Sequence, residues 1–110
     1  MGKEHLGELE QMVLLAVLRL EEHEAYGSRV RKELKDCVGR GVARGALYVT
    51  IDRLAEKGLL DTQVGDPTPG RGGRPRRYLS VSPAGITAIR KARRTWTSLW
   101  EGLDTVMGQG

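Results

Sequence analysis

The sequence predicts a mainly α-helical domain that carries one small β-hairpin. Apolar residues recur every three or four positions over residues 6–22, 27–37 and 44–57, as they do on one face of a helix. The spacing changes to two on both sides of the Gly- and Pro-rich residues 65–75, which is typical of two strands joined by a loop. The chain has 110 residues, enough for one small domain.

The three predicted helices differ in their apolar faces. The first, residues 6–22, has a wide stripe that includes Leu14, Leu15 and Leu18 and is expected to be buried on more than one side. The second runs from about Gly27 to Cys37 and the third from about Arg44 to Lys57. Gly58 follows the third helix at the position where a left-handed residue commonly ends one.

The predicted hairpin precedes a fourth helix. Alternation over residues 60–64 and 77–81 predicts two strands, and Ser82-Pro83 has the composition of a helix start, with Ser as the N-cap. From Ile89 onward, apolar residues continue at heptad-like spacing to the end of the chain. This order predicts a winged helix–turn–helix domain over 1–81 and a C-terminal dimerisation helix over 82–110. The residues predicted to mediate dimerisation are Ile89, Trp96, Leu99 and Leu103.

The net charge of +4 is unevenly distributed along the chain. Residues 1–24 carry −4, residues 25–65 carry +3, residues 66–94 carry +7 and residues 95–110 carry −2. A small domain with a sequence pI of about 9.6 and a localised basic segment is expected to bind a polyanion, most simply double-stranded DNA.

Several protein classes are unlikely. A single cysteine, Cys37, forms no internal disulfide, and the N-terminal segment lacks the basic start and cleavage site of a signal peptide. The longest apolar run, Met12 to Leu18, is too short to cross a bilayer. We therefore expect a cytoplasmic protein that does not associate with membranes.

An enzyme is also not expected. The Gly-rich segment lacks the Lys-Ser/Thr of a phosphate-binding loop. His5, His23 and Cys37 are too scattered for a zinc site, so no metal or cofactor is predicted. Cys37 would be a redox sensor only if it were exposed and had a lowered pKa.

The basic segment supplies the candidate DNA contacts. Arginines close to a Gly- and Pro-rich tip can reach phosphates or a narrow minor groove, although a solvated charged loop is the simpler explanation of such a run. For Tyr48, a ring packed on the wing is an equally supported alternative to DNA contact, and Arg77 has the alternative of lying on a strand face. The predicted DNA-binding residues are Arg71, Arg74, Arg76 and Arg77 in the wing, Arg44, Tyr48, Thr50 and Arg53 on the third helix, and Ser28 and Lys32 on the second.

Three motifs together resemble the PadR family of bacterial transcriptional regulators. They are Tyr26-Gly27, the Gly-Ala-Leu-Tyr at 45–48 and the Gly-Gly-Arg-Pro-Arg at 72–76, and the resemblance extends from Leu6 to about Arg90. It implies a homodimeric repressor that binds a near-palindromic operator, with the last helix supplying most of the dimer contact. The chain has alanine at position 46 and valine at position 49, where the family often has Ser and Pro.

Trp96 and Trp100 lie one turn apart on the last helix. Packing in a dimer core is the favoured explanation. The alternative is an effector pocket, since the resemblance implies that small planar aromatic compounds bind between subunits in some family members. Two other readings stay open: a DNA-binding protein without an effector, and a winged-helix module that binds an acidic protein.

Overall fold

The computed structural model describes residues 5–65 and 75–108 and has the predicted mainly helical architecture with a two-stranded hairpin. A short 3₁₀ turn, Glu22–Glu24, joins the first two helices. In chain order the other elements are α1 (Glu8–Arg19), α2 (Gly27–Val38), α3 (Arg44–Glu56), β1 (Leu60–Val64), β2 (Arg77–Val81), α4 (Pro83–Trp100) and α5 (Leu103–Val106).

The core is aliphatic, as expected for a chain that lacks phenylalanine. Helices α1 to α4 and both strands each contribute at least one buried side chain, and each fully buried Leu or Ile stabilises the fold by about 1.5–3 kcal/mol. The central residues are Val13, Leu14, Ala16 and Val17 of α1, Val30 and Leu34 of α2, Leu47, Ile51 and Leu54 of α3, Leu60 and Leu79 of the hairpin, and Ile89 of α4.

The hairpin is antiparallel and is fixed to the start of α2. Its register runs from the pair Leu60–Val81 to the pair Val64–Arg77. On the other side of β2, the Leu79 amide donates a 2.8 Å hydrogen bond to the Ala25 carbonyl, so residues preceding α2 extend the sheet. Strand β2 is therefore held on both sides, by β1 and by the segment that precedes α2. We call this part of the hairpin, residues 60–65 and 76–81, the root of the wing.

Ser82 connects the hairpin directly to α4. Its hydroxyl accepts a 3.0 Å hydrogen bond from the Gly85 amide and donates a 2.6 Å bond to the Gly58 carbonyl. The predicted N-cap is thus present, and it also joins the end of α3 to the beginning of α4. Gly58 has φ 76°, the left-handed conformation predicted at that position.

Two predicted helix ends are wrong. Helix α1 ends at Arg19 because Leu20 is extended, with ψ 150°, whereas the sequence pattern continued to residue 22. The last helix was expected to reach the end of the chain, but α4 ends at Trp100 and Gly102 turns with φ 81°. Leu103 consequently lies on the separate helix α5 and does not extend the seam of α4.

Candidate nucleic-acid interface

Helix α3 has one face in the core and one face exposed. Leu47, Ile51 and Leu54 are buried and fix the helix against the rest of the domain. Arg44 begins the helix and Arg53 lies near its end, both with exposed side chains. Since the first backbone N–H groups of a helix lack partners within it, Arg44 and the helix terminus together form a positive end.

Thr50 lies on the buried face of α3, so its prediction as a DNA contact is wrong. It is 6% exposed, and its hydroxyl donates a 2.8 Å hydrogen bond to the Ala46 carbonyl one turn earlier. This bond satisfies the hydroxyl inside the helix. The sequence contained the signal, because Thr50 follows Leu47 by three positions and precedes Leu54 by four, as a residue of the inner face does.

Tyr48 is half-buried, and the tip of its ring lies against the start of α2. A Cβ added at Gly27 would overlap the Tyr48 hydroxyl and lie 2.7 Å from Cζ. Glycine at position 27 is therefore required by close approach. DNA contact and packing on the wing were the two roles expected of Tyr48 from the sequence. Its contact with α2 was not predicted.

Two of the four predicted wing arginines have partners within the chain. The Arg77 guanidinium lies 3.0 Å from the Asp52 carboxylate of α3, and the Arg76 guanidinium lies 4.0 Å from the centroid of the Tyr26 ring. Arg71 and Arg74 lie outside the described residues.

The outer face of α2 carries more positive charge than the sequence analysis assigned to it. Ser28 and Lys32 are exposed, as predicted, and Arg31 and Lys35 lie beside them. The spacing of residues 28, 31, 32 and 35 is the sequence signal that identifies this face. Together these residues line one side of a groove of about 520 Å³ between α2 and the segment that precedes α3.

Hydrogen bonds orient two of these cations. The Arg31 Nε donates to the Val42 carbonyl at 3.0 Å, and the Lys32 Nζ pairs with the Asp36 carboxylate at 2.8 Å. The hydrogen bond from Lys32 lowers the pKa of Asp36. Because an exposed ion pair of this kind contributes at most about 1 kcal/mol, Lys32 can exchange Asp36 for a phosphate.

A carboxylate on α2 binds two arginines away from this cationic face. Glu33 pairs with the Arg19 Nε at 2.8 Å and with Arg29 at 3.6 Å, and its pKa is lowered mainly by the hydrogen bond from Arg19. The exposed Cys37 thiol donates to Glu33 at 3.3 Å, and this bond raises the pKa of Cys37. A redox sensor needs the opposite shift, so the structure does not support that role.

A second candidate site is an apolar groove between α1 and α4. It has a volume of about 830 Å³. Trp96 and Trp100 line it and are 54% and 52% exposed. The other lining residues are Gln11, Leu15, Leu18, Ile86, Ile89, Arg90, Arg93 and Thr97.

The predicted dimerisation residues differ in exposure. Trp96 and Leu99 are exposed, and Leu103 is half-buried. Ile89 is only 8% exposed and packs in the core of its own chain. Ile89 also forms part of the wall of the groove between α1 and α4, and its role in dimerisation stays a prediction.

Within residues 5–65 and 75–108, His, Cys, Asp and Glu side chains form no group of three or more suited to a metal ion. Over the same ranges, none of the helices has the length and apolar character required to cross a membrane.

Solved structures of similar fold include those of several PadR-type regulators. The chain is 26% identical to a PadR-like transcription factor from Bacteroides fragilis, with a TM-score of 0.73 and coverage of 89% of this chain and 88% of the other. It is 27% identical to a PadR family regulator from Eggerthella lenta, with a TM-score of 0.69 and coverage of 94% and 88%. A PadR-like regulator from Bacillus cereus is 19% identical, with a TM-score of 0.70 and coverage of 93% and 92%, and shows the same fold. A comparison with curated proteins finds no match.

The sequence-based family assignment is confirmed. The model of the "Transcriptional regulator PadR-like family" matches residues 14–91, which include all of α2, α3 and the hairpin. These proteins are transcription regulators, so the prediction of a non-enzyme is also confirmed. The chain belongs to the PadR-like family of transcriptional regulators.

Proposed function

We propose that this regulator is a homodimeric repressor that binds a near-palindromic operator. Helix α3 of each protomer would occupy a major groove, with the wing beside it. The observation that carries the proposal is the cationic face of α2, formed by Arg31, Lys32 and Lys35, whose groove extends to Ala43, the residue before the exposed Arg44 at the start of α3. Repression would follow from blocking the access of polymerase to the promoter.

In DNA binding, α2 and α3 have different tasks. Lys32 and Lys35 are mobile point charges suited to phosphates, which position the domain without reading sequence. Arg44 and Arg53 are exposed near opposite ends of α3 and are the proposed contacts to base edges. Ser28 is an additional hydrogen-bond donor to a phosphate at the start of α2.

A second copy of the chain is the proposed occupant of the groove between α1 and α4. Leu15, Leu18, Trp96 and Trp100 are each about half exposed on its walls, an apolar patch of the kind that marks an interface. A core this small also gains stability from burial against a partner. The groove lies between α1, in the proposed DNA-binding domain of residues 1–81, and α4, in the proposed dimerisation segment of residues 82–110.

A small planar aromatic compound is the proposed effector. Trp96 and Trp100 offer rings for stacking, and Arg90 and Arg93 line the same groove. A ligand bound between two protomers would change their relative orientation, and its affinity would be reciprocally coupled to that of the operator. The alternative is a regulator without an effector, in which the partner protomer packs both tryptophans completely.

The decisive test is selection of DNA from a random pool by the purified protein, followed by operator titration at several salt concentrations. We expect an inverted repeat, and log K should fall linearly with log salt. Lys35→Ala should reduce the slope by about 1.8, since each protomer of the dimer loses one phosphate contact worth about 0.9, whereas the control Arg94→Ala, an exposed arginine on α4, should not. Absence of any sequence preference would instead favour the protein-interaction module.

The dimer and the effector need separate measurements. Light scattering after size exclusion should give twice the mass of one chain. Tryptophan fluorescence during titration with planar aromatic compounds should be quenched by a ligand that also alters operator affinity. If no compound quenches the fluorescence or changes the affinity, the effector hypothesis is wrong, and the DNA-binding proposal is unaffected.

A further inference from the structure

Tyr26 and Gly27 lie where α2, the wing and α3 meet. Tyr26 is extended, with φ −131° and ψ 165°, and forms an antiparallel bridge with Tyr78 of β2. Gly27 begins α2 and lies against Tyr48 of α3. One dipeptide therefore touches both of the elements that the proposed function brings to DNA.

The Tyr26 ring holds the root of the wing through two side chains of that segment. It meets the Tyr78 ring edge to face, with centroids 5.9 Å apart and planes at 87°, and it lies under the Arg76 guanidinium at 4.0 Å. Both geometries are attractive, because a ring edge or a cation interacts favourably with the electron-rich face of an aromatic ring. Tyr26 thus binds the residues before and within β2 at the same time.

The backbone of Arg76 closes the described end of the hairpin. Its carbonyl accepts a 2.7 Å hydrogen bond from the Gly65 amide. Holding the Arg76 side chain on Tyr26 therefore also fixes the position at which the two arms of the wing leave the sheet.

We propose that Tyr26 is a positioning residue that sets the wing relative to α3, and that Arg76 acts through Tyr26 and does not bind a phosphate. This inference depends on the proposed DNA-binding function. It revises the sequence-based assignment of Arg76 as a DNA contact, because stacking on the Tyr26 ring holds its guanidinium at the base of the wing. Arg77 has a different role, since its partner is Asp52 of α3, and that exposed pair can open to a phosphate.

Four proteins provide the first test: Tyr26→Phe, Tyr26→Leu, Arg76→Met and the double variant Tyr26→Leu/Arg76→Met. Tyr26→Phe keeps the ring and should bind the selected operator as the parent does. Arg76→Met should weaken binding by about two- to fivefold, the range of one cation–π contact at a partly exposed site. Tyr26→Leu should weaken binding at least as much, although it removes no charge, and the double variant should be no weaker than Tyr26→Leu alone.

Salt dependence and additivity separate positioning from direct contact. If Arg76 bound a phosphate in each protomer, Arg76→Met would lower the salt slope by about 1.8 regardless of residue 26. Additive effects of Tyr26→Leu and Arg76→Met, with the slope changed by the arginine variant alone, would overturn the proposal. Circular dichroism and thermal unfolding identify any variant that fails to fold, and Arg76→Met remains informative in that case because it leaves the core intact.

A measurement without DNA keeps this inference separate from the proposed function. Amide hydrogen exchange should be faster at Gly65 and Leu79 in Arg76→Met than in the parent, because their acceptors lie on Arg76 and beside Tyr26. Arg44→Ala, a variant of a proposed DNA contact, should leave both rates unchanged. Unchanged exchange rates in Arg76→Met would refute the positioning role of Tyr26 even if the protein binds the operator. Faster exchange without operator binding would refute the proposed function alone.

Discussion

Replacing Gly27 with alanine tests the close approach of α2 and α3. In an open helix, this change stabilises a protein by about 0.5–1 kcal/mol. Here the new Cβ would overlap the Tyr48 hydroxyl and lie 2.7 Å from Cζ and 3.0 Å from Cε1, so the ring must move. Overpacking of this kind costs about 1–3 kcal/mol, which leaves a net destabilisation of about 0–2.5 kcal/mol for Gly27→Ala.

The assay is urea unfolding at one fixed protein concentration, because oligomerisation makes apparent stability depend on concentration. The midpoint should fall with an unchanged m-value. In a Tyr48→Ala background the obstruction is gone, so Gly27→Ala should become neutral or stabilising. An equal loss of stability in both backgrounds would show that the tyrosine ring is not the cause.

Three further predictions concern acid stability, assembly and capping. Burial raises the pKa of Glu10, but its bonds to Lys57 and to the Gly7 amide, together with the nearby positive charges, lower that pKa overall. The stability of the fold should therefore fall as the pH drops below about 4.5 and through the lowered pKa. Acid titration of the circular dichroism signal should show a less steep fall in Glu10→Gln. Leu18→Lys should lower the mass measured by light scattering to that of one chain at micromolar concentration, and a retained dimer would place the interface elsewhere. Ser82→Ala should destabilise the fold by about 0.5–2 kcal/mol in thermal unfolding, and a smaller loss would mean that its two hydrogen bonds are replaced by water.

Local signals predicted most of the backbone. The change of apolar spacing at Gly58 and the Ser82-Pro83 pair identified β1 and the start of α4, because capping and strand alternation depend on neighbouring residues. Helix α4 ended early at Trp100 because one left-handed glycine interrupts a pattern that otherwise continues.

The candidate site was less predictable because its contacts join distant parts of the chain. Neither the pairing of Arg76 with Tyr26 nor that of Arg77 with Asp52 can be read from a run of positive charge. Thr50 illustrates the opposite error, since its helical phase indicated burial and its hydroxyl suggested a ligand. Periodicity was the better guide there.

Ser82 forms the joint between α4 and the segment that precedes β1. The 18 residues of α4 give a helix about 27 Å long, and its first turn is bonded to the residues that precede β1. A tilt of about 5° about that joint moves the far end, at Trp100, by roughly 2 Å. The tryptophan end of α4 and the base of the wing thus share the joint at Ser82, and any change in the angle of α4 would displace Trp100 more than the residues beside that joint.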